Sequence, residues 1–264
     1  MGSQLSIRVL PQNKCPEVLC LGLEEGQALT HSNVLVEMEV GSMSDRELGE
    51  LPVESVDTLL ERLPKYFTMC ICSKRNSGKS WLSFEIIKKL VKAKKVDMVL
   101  VMSNSAGLNK DYDFLPPGLV MKFSEKVLEQ LWTRQQKADM SKREHIFVVL
   151  DDVLSDPRAL RSELVSRIYS LGRHNMISCC IISQIANHVL TPVVKQNSDM
   201  ILWSKLNRNQ LSILWESLNG VSKKGFIRWA EVFGGVHYNF CVFDNITDKN
   251  APEDFLFVVR AEAK

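Results

Sequence analysis

Short apolar runs alternate along most of this chain with stretches whose apolar residues recur at helical spacing, the pattern of a parallel sheet covered by helices on both faces. The run Tyr66–Ile71 reads as a buried strand, and Trp81, Leu82, Phe84, Ile86, Ile87 and Leu90 make Trp81–Lys92 an amphipathic helix. Val96–Ser103 is a second strand, followed by a turn-rich stretch Asp111–Gly118 and a helical pattern over Glu125–Met140. Ile146–Leu150 is continuously apolar and ends in Asp151-Asp152; Arg158–Leu171 carries Leu160, Leu164, Val165, Ile168 and Leu171 at helical spacing. Met176–Ser183 and Asp199–Ser204 read as strands, Asn207–Leu218 as a helix, and Val236–Phe243 and Phe255–Val259 as closing strands. Residues 1–60 are less legible: Asn33–Val40 alternates like a strand, and Val56–Leu63 reads as a short helix leading into the core. The division predicted is an N-terminal segment over 1–60, suited to docking a partner, and one α/β domain over 61–264.

Between the first core strand and its helix stands Cys72-Ser-Lys-Arg-Asn-Ser-Gly-Lys-Ser80. Strand, Gly-Lys-Ser turn and helix together form a phosphate-binding loop: backbone N–H groups and the positive helix end wrap phosphates, Lys79 reaches the β and γ phosphates, and Ser80 binds Mg²⁺. The nucleotide-contacting set is then Ser73, Lys74, Arg75, Asn76, Ser77, Gly78, Lys79, Ser80 and Trp81. Ser73 departs from the usual pattern, which has glycine there, so the first turn must be made without glycine's freedom at positive φ. The apolar strand ending in Asp151-Asp152 is the second landmark. A carboxylate at a strand's carboxyl end lies in the crevice where open α/β sheets bind ligands; Asp151 suits Mg²⁺ and Asp152 the orientation of an attacking water. Gln184, after the Met176–Ser183 strand, stands where a γ-phosphate sensor belongs. Arg173, in Leu171-Gly-Arg-His-Asn175, can neutralise transition-state charge in a neighbour's site.

Composition narrows this reading. With 264 residues, 45% hydrophobic and 24% charged, the chain can bury one large core. A net charge of +2 does not by itself announce nucleic acid, so a basic surface must come from local clusters, one at Lys88, Lys89, Lys92, Lys94 and Lys95, another at Lys223, Lys224 and Arg228. The seven cysteines are Cys15, Cys20, Cys70, Cys72, Cys179, Cys180 and Cys241. Most lie in apolar runs, as reduced core thiols would, and the strand before the loop explains Cys70-Ile-Cys72 better than a metal site does. No apolar run approaches the length of a membrane span, and no secretory leader is evident. Met1-Gly-Ser-Gln-Leu-Ser6 matches the loose N-myristoylation pattern, which would place a lipid and a weak membrane contact on Gly2; a chance match or a cloning remnant explains it more economically.

Gly78-Lys-Ser80, Phe147-Val-Val-Leu-Asp-Asp-Val153, Leu171-Gly-Arg-His174, Ser183-Gln184 and Pro192-Val-Val-Lys-Gln-Asn197 follow one another in this order. From about Pro64 to Ser204 the chain resembles the DNA-packaging ATPases of poxviruses and other nucleocytoplasmic large DNA viruses, members of the FtsK/HerA superfamily. The resemblance implies a P-loop NTPase fold of the RecA-like, additional-strand type. It also implies a motor that hydrolyses ATP to drive double-stranded DNA into a preformed capsid. Such a motor works as a homo-oligomeric ring, a pentamer or hexamer, against capsid or vertex proteins, at the viral assembly site in the host cytoplasm and in the virion. In that pattern Lys79, Asp152, Gln184 and Arg173 are catalytic, Ser80 and Asp151 hold Mg²⁺, and Lys195 stands where the poxvirus-type pattern has an arginine.

Two other classes of function fit parts of the sequence. A nucleotide-bound switch or scaffold with little hydrolysis would accommodate Ser73 and Lys195, and a small-molecule P-loop kinase would need a basic lid, for which only Lys137, Lys142 and Arg143 are available. No Asn-Lys-x-Asp motif supports guanine recognition. For DNA the candidate contacts are Lys205, Arg208, Lys223, Lys224 and Arg228, with Trp203, Trp215 and Trp229 read first as core or interface aromatics.

Overall fold

The computed structural model describes residues 51–262 apart from 52, 107–111, 154–158, 160–161, 185, 217–220 and 248–251, together with the backbone of two short N-terminal strands. Those strands, Ile7–Val9 (β1) and Val36–Met38 (β2), pair antiparallel with Ile7 opposite Met38. Cys15, Cys20 and the Gly2 pattern lie outside the described residues.

A nine-stranded sheet organises the rest. Its strands are Val53–Glu54 (β3), Thr68–Ser73 (β4), Met98–Ser103 (β5), Val120–Met121 (β6), Ile146–Asp151 (β7), Ile177–Ser183 (β8), Met200–Ser204 (β9), Asn239–Asp244 (β10) and Leu256–Arg260 (β11), in the spatial order β3-β11-β10-β9-β4-β8-β7-β5-β6. β4 pairs in parallel with both β8 and β9, and β7 in parallel with β8 and β5; only β10 runs against its neighbours. β8 thus stands between the strand before the phosphate loop and the strand that ends in Asp151, which is the additional-strand arrangement. β4, β8, β9 and β10 are buried along their whole length, as strands covered on both faces must be.

Helices cover both faces. Val56–Arg62 (α1) and Lys79–Lys92 (α2) bury Val56, Leu59, Leu82 and Ile86 against Phe67, Met69, Phe147 and Phe257 on one face. On the other face lie Glu125–Lys137 (α3), Glu163–Leu171 (α4), Ala186–Val189 (α5), Pro192–Asn197 (α6), Arg208–Trp215 (α7) and Lys223–Gly235 (α8). A last short helix, Pro252–Phe255 (α9), leads into β11. β3 and most of α1 fall in the predicted N-terminal segment yet belong to this unit: Val53 pairs with Val258, and Arg62 binds Glu54 at 2.7 Å.

α8 has no counterpart among the elements expected from sequence. Gly225, Gly234 and Gly235 lower its intrinsic helix propensity, but Phe226, Trp229, Ala230 and Phe233 recur at i, i+3, i+4 and i+7 and fill the core around Trp203. Tertiary burial therefore sets this helix. Trp203 and Trp229 are 1% and 0% exposed, which makes them core residues, and Trp215 donates its Nε1–H to the Val221 carbonyl at 2.8 Å. The five described cysteines are free and buried. Burial pushes the Cys179 thiol up to about 12, so the reading of reduced core thiols agrees with the surroundings of these five.

Candidate functional site: the carboxyl edge of the sheet

In-register pairing brings five strand ends to one edge. Ser73 lies opposite Ser204, Cys72 opposite Ser183, Ser103 opposite Asp151, and Asp151 opposite Ile182. The phosphate loop, the Asp151-Asp152 pair and Gln184 are therefore neighbours, as their order in the sequence predicts.

The loop is built without the expected first glycine. Ser73 is the last residue of β4, not a turn residue, and its buried hydroxyl donates to the Ser204 carbonyl at 2.7 Å while meeting the Ser77 hydroxyl. Ser77 in turn donates to the Lys74 carbonyl at 2.7 Å. The left-handed backbone falls instead on Asn76 (φ 56°) and Gly78 (φ 98°). Asparagine tolerates that region. Gly78 is required twice over, because a Cβ there would stand 2.7 Å from Cδ1 of Tyr238.

α2 begins at Gly78 with no side-chain cap and no acid in its first turn. By contrast Ser55, Ser124, Ser162, Thr191, Asn207 and Ser222 each cap the helix that follows. The first-turn N–H groups of a helix lack intrahelical partners, and here they are left for an anion. Lys79 folds back to the Lys74 carbonyl at 3.2 Å. Burial lowers its pKa, and the charges of Asp152 and Asp151 oppose that shift. An anionic ligand would relieve the same desolvation. Arg75, Lys74 and Ser80 are exposed around the loop.

Asp152 sits just past β7 with φ 54°, and its N–H still donates to the Ile182 carbonyl at 2.9 Å. Its Oδ2 accepts from Nε2 of Gln184, and its carbonyl accepts from Asn104 Nδ2 at 3.2 Å. Asp151 Oδ2 accepts from the Tyr112 hydroxyl at 3.0 Å. Tyr112 is 6% exposed, and burial, then the Asp151 charge, pushes its phenol well above the usual range; it is a neutral donor. Tyr112 comes from the turn-rich stretch before β6, and nothing in the sequence ties it to an acid 39 residues away.

Arg173 lies elsewhere. It belongs to the 3₁₀ turn Gly172–Asn175 before β8, whereas Gln184 follows that strand. Six strand steps at about 3.3 Å separate Ile177 from Ser183, roughly 20 Å, so Arg173 cannot serve the site of its own chain. It is exposed and lines a polar cavity of about 210 Å³ with Tyr66, Thr68, Tyr169 and Asp199. Burial raises the Asp199 carboxyl, while hydrogen bonds from Thr68 and the Arg173 charge oppose the shift. Lys195, on α6, is half-buried with its Nζ 3.8 Å from Glu216.

The basic candidates divide by surroundings. Arg208 forms two hydrogen bonds to Glu231, Lys223 lies over the Trp215 ring, and Lys224 is exposed. Lys89 pairs with Asp57 and Lys95 donates to the Leu60 carbonyl. Arg143 donates to the Ala138, Gln136 and His174 carbonyls, and Lys142 pairs at 3.9 Å with Asp139. Lys205 follows Ser204, the partner of Ser73 at the end of β4, with Nζ 3.0 Å from Nδ1 of His237. His237 and Tyr238, which sequence reasoning did not single out, complete a cavity of about 350 Å³ over Asn76–Trp81.

With this geometry in place, comparison with known proteins gives concordant findings. The profile of the family described as Poxvirus A32 protein matches residues 59–239. Uncharacterized protein 015R of Frog virus 3 (isolate Goorha) is 28% identical over 138 residues, covering 50% of this chain; the match spans only 41% of that relative's length. Among solved structures, the genome packaging NTPase B204 of Sulfolobus turreted icosahedral virus 2 in complex with AMPPCP superposes with a TM-score of 0.53 at 14% identity, covering 74% of this chain and 98% of that one. The pCW3 conjugation coupling protein TcpA with ATPγS gives 0.52 at 15% identity, covering 75% and 62%. At such identities these structures share the fold.

Proposed function

This chain belongs to the Poxvirus A32 protein family, and from that premise we propose that it is an ATP-hydrolysing motor that translocates double-stranded viral DNA into a preformed capsid. The observation that carries this reading is the carboxyl edge itself: an uncapped helix start, a desolvated lysine, two acids and a glutamine meet at the end of adjacent parallel strands. The residues that would hold ATP are those of the loop, with Lys79 on the β and γ phosphates. Asp152 orients and deprotonates the attacking water, and Gln184, already bonded to Asp152, couples that acid to the γ-phosphate.

The donor set fits Mg²⁺: Ser80 offers an exposed hydroxyl and Asp151 a carboxylate, both hard oxygen ligands, and among the described residues no cluster of three or more His, Cys, Asp or Glu forms a cage of its own. When bound with the nucleotide, the ion would neutralise charge on the phosphates. Tyr112 orients Asp151 for this role. Tyr112→Phe is expected to raise the Mg²⁺ concentration for half-maximal turnover by about tenfold, as loss of an outer-shell partner does, with little change in maximal rate; a Mg²⁺ titration of ATPase activity reads it.

The ring, the capsid contact and the DNA path belong to the same proposal. Arg173 would complete the site of the next subunit, and Lys224, Lys223, Arg208 and Arg228 are the candidates for gripping phosphates without sequence preference. Among the described residues no helix is long and apolar enough to cross a membrane; the place of work in this proposal is the viral assembly site in the host cytoplasm. The test is steady-state ATP hydrolysis with and without double-stranded DNA. DNA should stimulate turnover, and Lys79→Ala should lower it by about a hundredfold or more. ATP binding with turnover that neither DNA nor Lys79→Ala changes would overturn the motor in favour of a nucleotide-bound scaffold.

A further inference from the structure

The cavity over the phosphate loop has two chemically different kinds of lining. Asn76, Gly78, Lys79, Ser80 and Trp81 come from the loop and the helix start, and beside them stand His237 and Tyr238, the Tyr238 ring against Gly78. Those two rings are 4.0 Å apart between centroids and inclined at 64°. They occupy the turn between α8 and β10, an element that contributes no catalytic group. We infer that this turn is the base-recognition element of the site, an aromatic wall against which the base of a nucleoside triphosphate stacks while its phosphates fill the loop. The inference rests on the reading of Ser73–Ser80 as the phosphate site.

Three features hold the turn in place. Tyr238 has φ 64°, a conformation that bulky side chains rarely adopt and that persists only where the surroundings impose it. Here the surroundings do so. The Tyr238 carbonyl accepts from the Ala261 N–H at 3.0 Å, and Asn239 N–H donates to the Val236 carbonyl at 3.3 Å, so the turn is tied to the chain just beyond β11. The Tyr238 ring meanwhile lies directly on Gly78, leaving no room for a Cβ. Second, His237 is pinned although exposed: Lys205 Nζ reaches its Nδ1 at 3.0 Å, and Lys205 itself has φ 52° with its N–H bound to the Gly234 carbonyl. Third, three of the left-handed non-glycine residues, Asn76, Lys205 and Tyr238, converge on this one cavity or its wall. Such backbone outliers gather at ligand clamps.

Aromatic stacking is tolerant of base identity because every base presents a π-face. The wall therefore fits nucleoside triphosphates as a class and adds affinity without strong discrimination among bases. A ligand that lacks a base gains nothing from it.

The experiment compares binding of Mg-ATP and of inorganic tripolyphosphate to the full chain by calorimetry, for wild type, Tyr238→Leu, Tyr238→Phe and His237→Ala. The expected result is that Tyr238→Leu weakens ATP about tenfold and leaves tripolyphosphate unchanged, while Tyr238→Phe stays near wild type and His237→Ala falls between. Equal weakening of both ligands would mean that the ring only shapes the loop, and unchanged ATP affinity would mean that the base lies elsewhere; either overturns the inference. His237→Ala, at an exposed position, keeps the test decisive should Tyr238→Leu fail to fold. A wild-type protein that binds neither ligand would sink the phosphate-site reading itself, an outcome distinct from a protein that binds both equally and so refutes only the wall.

Discussion

Asp152→Asn is expected to lower kcat for ATP hydrolysis by about 10²–10⁴-fold, the range over which a positioned general base acts, while ATP affinity changes by no more than a few-fold. The substitution suits its position. Asp152 sits in left-handed backbone at φ 54°, and asparagine adopts that region as readily as aspartate, so the strand end and its N–H bond to Ile182 should persist. The new amide can turn its oxygen toward Gln184 Nε2 and keep the contact Asp152 Oδ2 now makes. What disappears is the negative charge and the proton acceptor. The loss of charge also removes one of the groups that sustain protonated Lys79 against its burial, and this is the source of the small affinity change. Turnover measured beside equilibrium nucleotide binding separates the two effects. A kcat within threefold of wild type would remove Asp152 from the chemistry and shift the search to Asp151.

The carboxyl edge was legible because it is local. A loop is fixed by the strand before it and the helix after it, and an acid at the end of an apolar run must emerge at the sheet's edge, so Ser73–Ser80, Asp151, Asp152 and Gln184 follow from periodicity and motif alone. Hydrogen bonds between distant segments were not legible. Tyr112 reaches Asp151 across 39 residues, and Ser73 reaches the Ser204 carbonyl across 131. The second of these explains why the missing glycine costs the loop nothing obvious in geometry: the residue there ends a strand, and the left-handed turn is made three residues later by Asn76. His237 and Tyr238 escaped notice for the same reason, since only the folding of α8 and the antiparallel return of β10 bring them over Gly78. α8 carries a readable signal in Phe226, Trp229, Ala230 and Phe233, although the sequence reading took from this segment only Lys223, Lys224 and Arg228 as candidates for DNA contact.

The second large effect concerns Arg173. Arg173→Ala is expected to cut DNA-stimulated turnover by about 10³-fold or more, the contribution of an arginine finger to phosphoryl transfer, with ATP binding retained. The fold gives this prediction its particular form. Arg173 precedes β8 and the loop follows β4, parallel strands in register, so the arginine and the phosphate site occupy opposite ends of one sheet. A residue so placed can act only if a second copy presents its amino edge to the first copy's carboxyl edge, a heterologous contact that closes into a ring when the rotation permits. Mixing tests the geometry directly. Arg173→Ala subunits retain Lys79, and Lys79→Ala subunits retain Arg173; each is inactive alone, but in a mixed ring a complete site arises wherever an Arg173→Ala subunit receives the finger of a Lys79→Ala neighbour. Random assembly at equal amounts makes roughly a quarter of the sites complete. Recovery of activity on mixing would place Arg173 in the neighbour's chemistry. Lys195 is the natural comparator: it lies two residues before Asn197, whose carbonyl takes the Thr68 hydroxyl at the start of β4, and it pairs with Glu216. If Arg173→Ala leaves turnover intact and Lys195→Ala abolishes it with the same complementation, the finger is the lysine, a point charge in place of a bidentate fork. The head-to-tail contact would then stand with a different residue at its centre.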